Sequence, residues 1–403
     1  MYNRKNYISK LEQWKDKPII KILTGIRRSG KSTIMLLFIE RLKKLRVPKK
    51  QILYINKESL EFEFIRSYRE LYDYVKNHFA KLNKKLYLLI DEVQYIESWE
   101  KAVVSLFSEN IADIYLSGSN SELLSSDLAT LLSGRYIEIR VLPLTFSEFL
   151  IFRNKSSFND KDFSDYLMFG GMPGIHHLQW ESSVIFEYLN SIFDTIILKD
   201  IVKRYNIRNV AFLEKIILFI FDNISQIFSA KRVIDFLRNE GRKTNIETVY
   251  NYIKYLENSF IINRVPRFDI KGKRFLEVRE KYFLTDIGLR HALTGYRKND
   301  INQLLENILF IELKKRNYKI YVGQLNNAEI DFIVEKEGRK AYLQVAYVLA
   351  SGATIEREFG TLASVKDNYP KYVLSTDKFF TNDFQGIIRL NIIDFLLDEN
   401  YQL

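Results

Sequence analysis

The sequence of 403 residues contains no cysteine. Disulfides and thiolate-held metal sites are therefore excluded. Histidine is scarce, with four residues at 78, 176, 177 and 291. His176 and His177 are adjacent and have no obvious carboxylate set, so a histidine-built metal site is not expected. Proline (6) and glycine (16) are too few for a linker-rich or collagen-like chain. No stretch approaches the run of about 18 uncharged apolar residues that a membrane span needs. The longest near residues 216–221, IILFIF, is far shorter. The first residues, MYNRKNYISKLEQW, have no apolar core of the signal-peptide kind. These absences predict a cytoplasmic protein with no membrane segment. What is present, 47% apolar and 28% charged residues, is the balance of a globular chain. The length predicts two or three domains.

The net charge of +11 is unevenly spread. Residues 1–150 hold 25 basic and 18 acidic groups, and residues 151–200 hold 4 and 7. Residues 201–300 hold 20 and 11, and residues 301–403 hold 12 and 14. The largest surplus per residue falls in the third hundred. Such a surplus attracts phosphate backbones, or simply keeps a lysine-rich surface solvated.

Residues 19–24, IIKILT, read as a short buried strand. They run into Gly25-Ile26-Arg27-Arg28-Ser29-Gly30-Lys31-Ser32, a full match to G-x-x-x-x-G-K-[ST]. Thr33 opens TIMLLFIERLKKL, which has helical periodicity. A loop of this kind between strand and helix cradles phosphates with its backbone N–H groups. Lys31 suits the β- and γ-phosphates and Ser32 the Mg²⁺ ion. The helix N-terminus adds a field that favours anions.

Residues 86–92, Leu-Tyr-Leu-Leu-Ile-Asp-Glu, read as a buried parallel strand ending in two acids. Ligands of open α/β sheets bind at that carboxyl end. Asp91 suits the outer shell of Mg²⁺, and Glu92 suits a base for the attacking water. A third strand is expected at 112–117, followed by Gly118-Ser119-Asn120, which is either a γ-phosphate contact or an ordinary turn. A fourth is expected at 136–141, after Gly134-Arg135.

These features resemble the AAA+ ATPases. In particular they resemble the bacterial and archaeal family whose ATPase domain precedes a C-terminal domain of unknown function. The segments that carry the resemblance are the P-loop with Arg27-Arg28, LLIDEVQ at 88–94, LSGSN at 116–120, SGRYIEIRVLPLTFSEF at 133–149 and YLMFGGMPG at 166–174. The resemblance implies an ATP- and Mg²⁺-dependent hydrolase. In it Asn120 is the sensor residue and Arg135 an arginine finger given by a neighbouring subunit, hence a homo-oligomer. A surface or interdomain salt bridge is the other reading of Arg135.

The implied fold is α/β. A P-loop parallel-sheet domain spans residues 1–150. A helical connector or lid follows at 151–209, with the polar stretch 154–165 read as loop. From 210 the pattern changes. A helix at 210–223 is followed by Ser229 as a cap for AKRVIDFLRNEG, with Gly241 at its end. NIETVYNYIKYLENS is a third helix from Asn245, and two strands at 260–268 and 280–284 follow. That order predicts a winged helix over 210–300. Thr248, Asn251 and Lys254 would face a DNA groove, with Tyr250, Ile253 and Leu256 as core. Lys271, Lys273 and Arg274 at the wing tip would grip phosphates. A protein-docking module is the alternative. The partners implied are double-stranded DNA or a protein.

Residues 301–403 read helix (302–316), three strands (318–322, 328–334, 341–347), helix (354–367) and strand (371–375). This order resembles the PD-(D/E)xK restriction-endonuclease fold. The matching positions are Glu306, Asp331, Gln344 and Ala346. Ala346 stands where that family has its catalytic lysine. Lys340 and Lys366 are poorly placed to replace it, so the centre is expected to be vestigial. The expected function is an AAA+ ATPase that couples nucleotide state to DNA or partner binding. The alternatives are a nucleotide-switched scaffold with little turnover and an ATP-gated nuclease.

Overall fold

The computed structural model describes residues 4–82, 84–124, 134–239, 241, 244–349, 352–378 and 383–403. The chain forms two compact units, residues 1–142 with 258–260, and residues 143–257 with 261–403. The first break lies eight residues before the expected boundary at 150.

The first unit is built on five parallel strands: β1 (Ile20–Thr24), β2 (Ile52–Asn56), β3 (Leu86–Asp91), β4 (Ala112–Gly118) and β5 (Tyr136–Arg140). Their order in the sheet is β2-β3-β4-β1-β5. β2 is a strand beyond the four expected. Its burial alternates along ILYIN, because it is an edge strand with half-covered faces. Alternation elsewhere separates two cores. Ile20, Ile22, Leu88 and Ile90 face one, with the helices Tyr68–Leu82 and Trp99–Ser108 packed there. Leu23, Leu89 and Tyr115 face the other, against Ile34, Phe38 and Leu42 of the helix Lys31–Lys44. Both faces are thus sealed, and the carboxyl ends of β1, β3 and β4 share one edge of the sheet.

The second unit begins with helices Phe146–Phe152, Asp160–Phe169 and Ser182–Thr195 and a π-helical run Ile196–Val202. The polar stretch expected as loop at 154–165 contains a helix start. Asn159 accepts from the Asp162 backbone N–H and Asp162 caps back, so polarity there is helix-capping chemistry. Three helices follow, Val210–Asp222, Ala230–Asn239 and Ile246–Asn258, then a hairpin of β6 (Ile262–Asp269) and β7 (Arg274–Leu284). Helices Ile287–Thr294 and Ile301–Lys315 lead to β8 (Lys319–Leu325), β9 (Ala328–Lys336), β10 (Arg339–Val345), the helix Gly352–Ala363, β11 (Lys371–Ser375), β12 (Asp383–Phe384) and β13 (Ile387–Asn391).

β6 pairs in parallel with β8 through Arg267–Val322, Phe268–Gly323 and Asp269–Gln324. The hairpin therefore belongs to one eight-stranded sheet, β12-β13-β11-β10-β9-β8-β6-β7. The expected boundary at 300 runs through this sheet. Periodicity along a strand carries no information about which later strand it joins, and that is why sequence reading divides the chain there.

Candidate nucleotide site

The P-loop follows β1 at the carboxyl edge of the first sheet. Gly25 has φ +145°, and a Cβ there would lie 2.2 Å from the Val141 carbonyl oxygen. Gly30, at φ +100°, caps the helix Lys31–Lys44, and the space over it is open. Those two glycines let the backbone curl closely and leave room for a phosphate. Lys31 is buried, and its ammonium donates to the carbonyls of Gly25 (3.0 Å) and Ile26 (3.2 Å). Arg4 supports the loop from the N-terminal helix region, donating to the Ser29 carbonyl at 3.3 Å and to Leu142 at 2.8 Å. Arg27 reaches out of the loop to Glu58 and to the Tyr95 hydroxyl, while Arg28 is exposed at φ 66°. Ser32 is half-buried and Thr33 exposed.

Asp91 and Glu92 leave β3 on the same edge, and they are only 1% and 6% exposed. Asp91 accepts from the Tyr54 hydroxyl at 3.1 Å and from the Ser117 hydroxyl. Burial and the Asp91 carboxylate push the Tyr54 hydroxyl well above its usual range, so Tyr54 stays a donor. Glu92 sits in the left-handed region at φ 54°, a conformation costing about 1 kcal/mol for a residue with a Cβ. Its backbone N–H donates to Ser117 at 3.1 Å. Its carboxylate accepts from the Gln94 amide and from the Ser119 hydroxyl at 3.2 Å, and lies 3.8 Å from the Lys31 ammonium. Asn120, fully buried, follows β4. Tyr54, Gln94, Ser117 and Ser119 escape motif reading. Ser117 and Ser119 do lie inside LSGSN, where i and i+2 share a strand face, and that alternation is the signal that could have found them.

A family model described as an AAA domain matches residues 17–150. A model described as a domain of unknown function (DUF8612) matches residues 160–300. An uncharacterized protein of Haemophilus influenzae is 36% identical over 400 residues, 98% of this chain and 99% of its own. The uncharacterized protein MJ1544 of Methanocaldococcus jannaschii is 30% identical over 82% of this chain and 75% of its own. This chain belongs to their family of AAA-domain proteins. The fold is shared with the solved Walker-type ATPase PABY2304 of Pyrococcus abyssi, at 16% identity and a TM-score of 0.51 over 73% of this chain and 96% of that one.

In this AAA-domain protein Arg135 lies apart from the loop. Its carbonyl accepts from Ile20 N–H at 2.8 Å, at the amino ends of β1 and β5. One strand length, roughly 17 Å, separates it from the P-loop of its own chain. In the helix Ile246–Asn258, Asn251 and Lys254 are exposed and Thr248 half-buried. Ile253 and Leu256 are core as expected, but Tyr250 is 40% exposed. Val249 takes the buried place instead, since 249, 253 and 256 fall at the i, i+4, i+7 spacing of one helix face. Lys271, Lys273 and Arg274 are exposed in the β6–β7 turn.

Glu306, Asp331 and Gln344 come together in the second unit. Gln344 Oε1 accepts from Asp331 N–H at 3.3 Å, and Asp331 Oδ2 accepts from Val345 N–H at 2.8 Å. Ala346 is packed in an apolar cluster with Phe359 and Leu362. Lys340 pairs with Glu335 at 3.2 Å. A cation from outside the motif sits at this centre. Lys281 of β7 donates to Glu306 at 3.1 Å and to Glu329 at 2.6 Å. Burial acts to lower its pKa, but Glu306, Asp331 and Glu329 outweigh that and hold the ammonium above its ordinary range. Burial pushes both Glu306 and Asp331 up. Lys281 was missed because it precedes the nuclease-like segment in sequence, and Glu329, two residues before Asp331, because it is not a position of the motif. Among the described residues, no group of three or more His, Asp or Glu side chains is placed to hold a metal ion, and no helix is long and apolar enough to cross a membrane.

Proposed function

We propose that this protein binds Mg-ATP on residues 25–33, hydrolyses it, and couples the nucleotide state to binding of duplex DNA. The observation that carries the reading is the placement of the Glu92 carboxylate, 3.8 Å from the Lys31 ammonium and oriented by Gln94 and Ser119. The loop fits the ligand: Gly30 opens onto free space, and the Ser29 hydroxyl is buried with no hydrogen-bond partner among the described residues. Ser32 and Asp91 would hold Mg²⁺, which supplies charge neutralisation between phosphate oxygens. Lys31 exchanges its two carbonyl contacts for phosphate oxygens. Glu92 takes the proton of the attacking water and Asn120 orients it. Arg135 completes the centre of a neighbouring copy, which fits its distance from its own loop.

For DNA, the support is the basic surplus of residues 201–300 and the exposure of Asn251, Lys254, Lys271, Lys273 and Arg274. We read residues 210–300 as a winged helix. A protein-docking role is favoured by one observation: Phe275, next to Arg274 in sequence, is 55% exposed, and Ile246 at the start of the helix is 54% exposed. Steady-state ATP hydrolysis with and without duplex DNA tests both. Turnover in Mg-ATP that changes with DNA supports the reading. No turnover sinks the hydrolase, and turnover blind to DNA moves the basic surface to protein docking.

A further inference from the structure

The cation in the second unit is placed by packing. Residues 281 and 283 share one face of β7, and residues 306 and 310 lie one turn apart on the helix Ile301–Lys315. Phe283 stacks on Phe310 with ring centroids 4.6 Å apart. One step along the same contact, Lys281 meets Glu306. Asn307 bolts this register, accepting from Leu284 N–H at 2.7 Å and donating to the Leu284 carbonyl at 2.9 Å. On β9, residues 329 and 331 also share a face. The Lys281 ammonium lies 2.6 Å from Glu329 and 4.0 Å from Asp331, and its side chain is 2% exposed. Three carboxylates from a helix and a strand thus surround one ammonium. Without positive charge among them they would repel one another, most of all Glu306 and Asp331, whose side chains are 13% and 9% exposed against 29% for Glu329.

We propose that Lys281 is the built-in cation of this centre, holding among Glu306, Glu329 and Asp331 the place that a divalent ion takes in a metal-dependent phosphodiesterase, so that the domain neither takes up such an ion nor cuts nucleic acid. Gln344 agrees with this, since an amide in place of an acid keeps the number of carboxylates low. Ala346 agrees too, because its place is filled by apolar packing. The inference does not rest on the ATPase reading.

Mn²⁺ titration of the full chain without nucleotide, followed by electron paramagnetic resonance, tests it. Wild type and Asp331→Asn should take up the same Mn²⁺, because the centre contributes none. Lys281→Gln should gain one Mn²⁺ per chain and recover unfolding temperature on its addition. Lys281→Gln/Asp331→Asn should lose that gain, which separates it from metal at the P-loop. Failure of Lys281→Gln to gain a site overturns the proposal. Uptake by wild type that disappears in Asp331→Asn overturns it as well. So does Mn²⁺-dependent cleavage of supercoiled DNA by wild type that is lost in Lys281→Gln, which would make Lys281 a catalytic ammonium beside a metal. The comparison of wild type with Asp331→Asn decides even if Lys281→Gln fails to fold.

Discussion

Lys31 and Glu92 show what a side chain does when its surroundings are fixed by neighbours. Lys31 is held by two backbone carbonyls, and its work on a nucleotide is to replace these with charged oxygens. Lys31→Ala should weaken ATP binding on the order of tenfold to a hundredfold, the worth of charge-assisted hydrogen bonds. Fluorescent-nucleotide titration measures it, and unchanged affinity would remove the loop from the site. Glu92→Gln keeps shape and loses basicity, so binding should persist while kcat falls roughly a hundredfold or more. Gln94 touches Glu92 only through its amide. Gln94→Ala should lower kcat on the order of tenfold and leave KM near wild type, by loosening the carboxylate. Gln94→Glu should be worse than Gln94→Ala, since it sets like charges together. If both variants turn over normally, Gln94 does not position Glu92. The P-loop and the acid pair were legible because their chemistry depends on contiguous residues. The partners Tyr54 and Gln94 were not, because one comes from another strand and the other from the turn after Glu92.

At the scale of elements, many helices and strands were legible from periodicity, but β2, β12, β13 and the helices Tyr68–Leu82, Trp99–Ser108 and Ile287–Thr294 were not read; β2 was lost because an edge strand of five residues gives a weak signal. Pairing was not legible. The β6–β7 hairpin reads as a separate wing, yet it is hydrogen-bonded into the last sheet. The turn that bears Lys271, Lys273 and Arg274 projects from that sheet's edge hairpin. Replacing these three with Ala should weaken duplex binding and reduce the slope of log K against log salt by up to about 2.7, near 0.9 for each phosphate left without its cation. A salt series of anisotropy titrations reads this, and an unchanged slope would place the phosphate-binding cations elsewhere. Element packing also sets a pH response. His176 sits among Phe149, Phe152 and Trp180, and burial lowers its pKa to about 3. Burial lowers His291, bonded to the Met168 carbonyl, to about 4. Both are neutral in the fold and protonate more readily when unfolded. Their contribution is intact above about pH 6.5 and declines as pH falls toward the folded values. The second unit should lose stability by up to about 1.4 kcal/mol per pH unit for each ring in that window. Urea melts of wild type and of His176→Gln/His291→Gln should diverge in slope between pH 6.5 and 4.5. Parallel pH profiles would show that neither ring is kept neutral.

The whole molecule poses the question of what completes the nucleotide site. Arg135 opens β5 at the amino edge of the sheet, while the P-loop, Glu92 and Asn120 gather at the carboxyl edge. No rotamer closes a gap of roughly 17 Å, so a finger role for Arg135 requires a second copy. A guanidinium delivered in this way typically contributes on the order of a thousandfold to turnover. Arg135→Ala should therefore lose hydrolysis to about that degree and retain ATP binding, because its own loop is untouched. Mixing provides the decisive arm. In assemblies of Arg135→Ala with Glu92→Gln, one type of junction pairs an intact Glu92 with an intact Arg135, and activity should return in proportion to such junctions. A chain that is monomeric by light scattering with ATP bound, and whose mixtures stay inactive at every ratio, would confine Arg135 to the surface and leave the site dependent on its own chain alone.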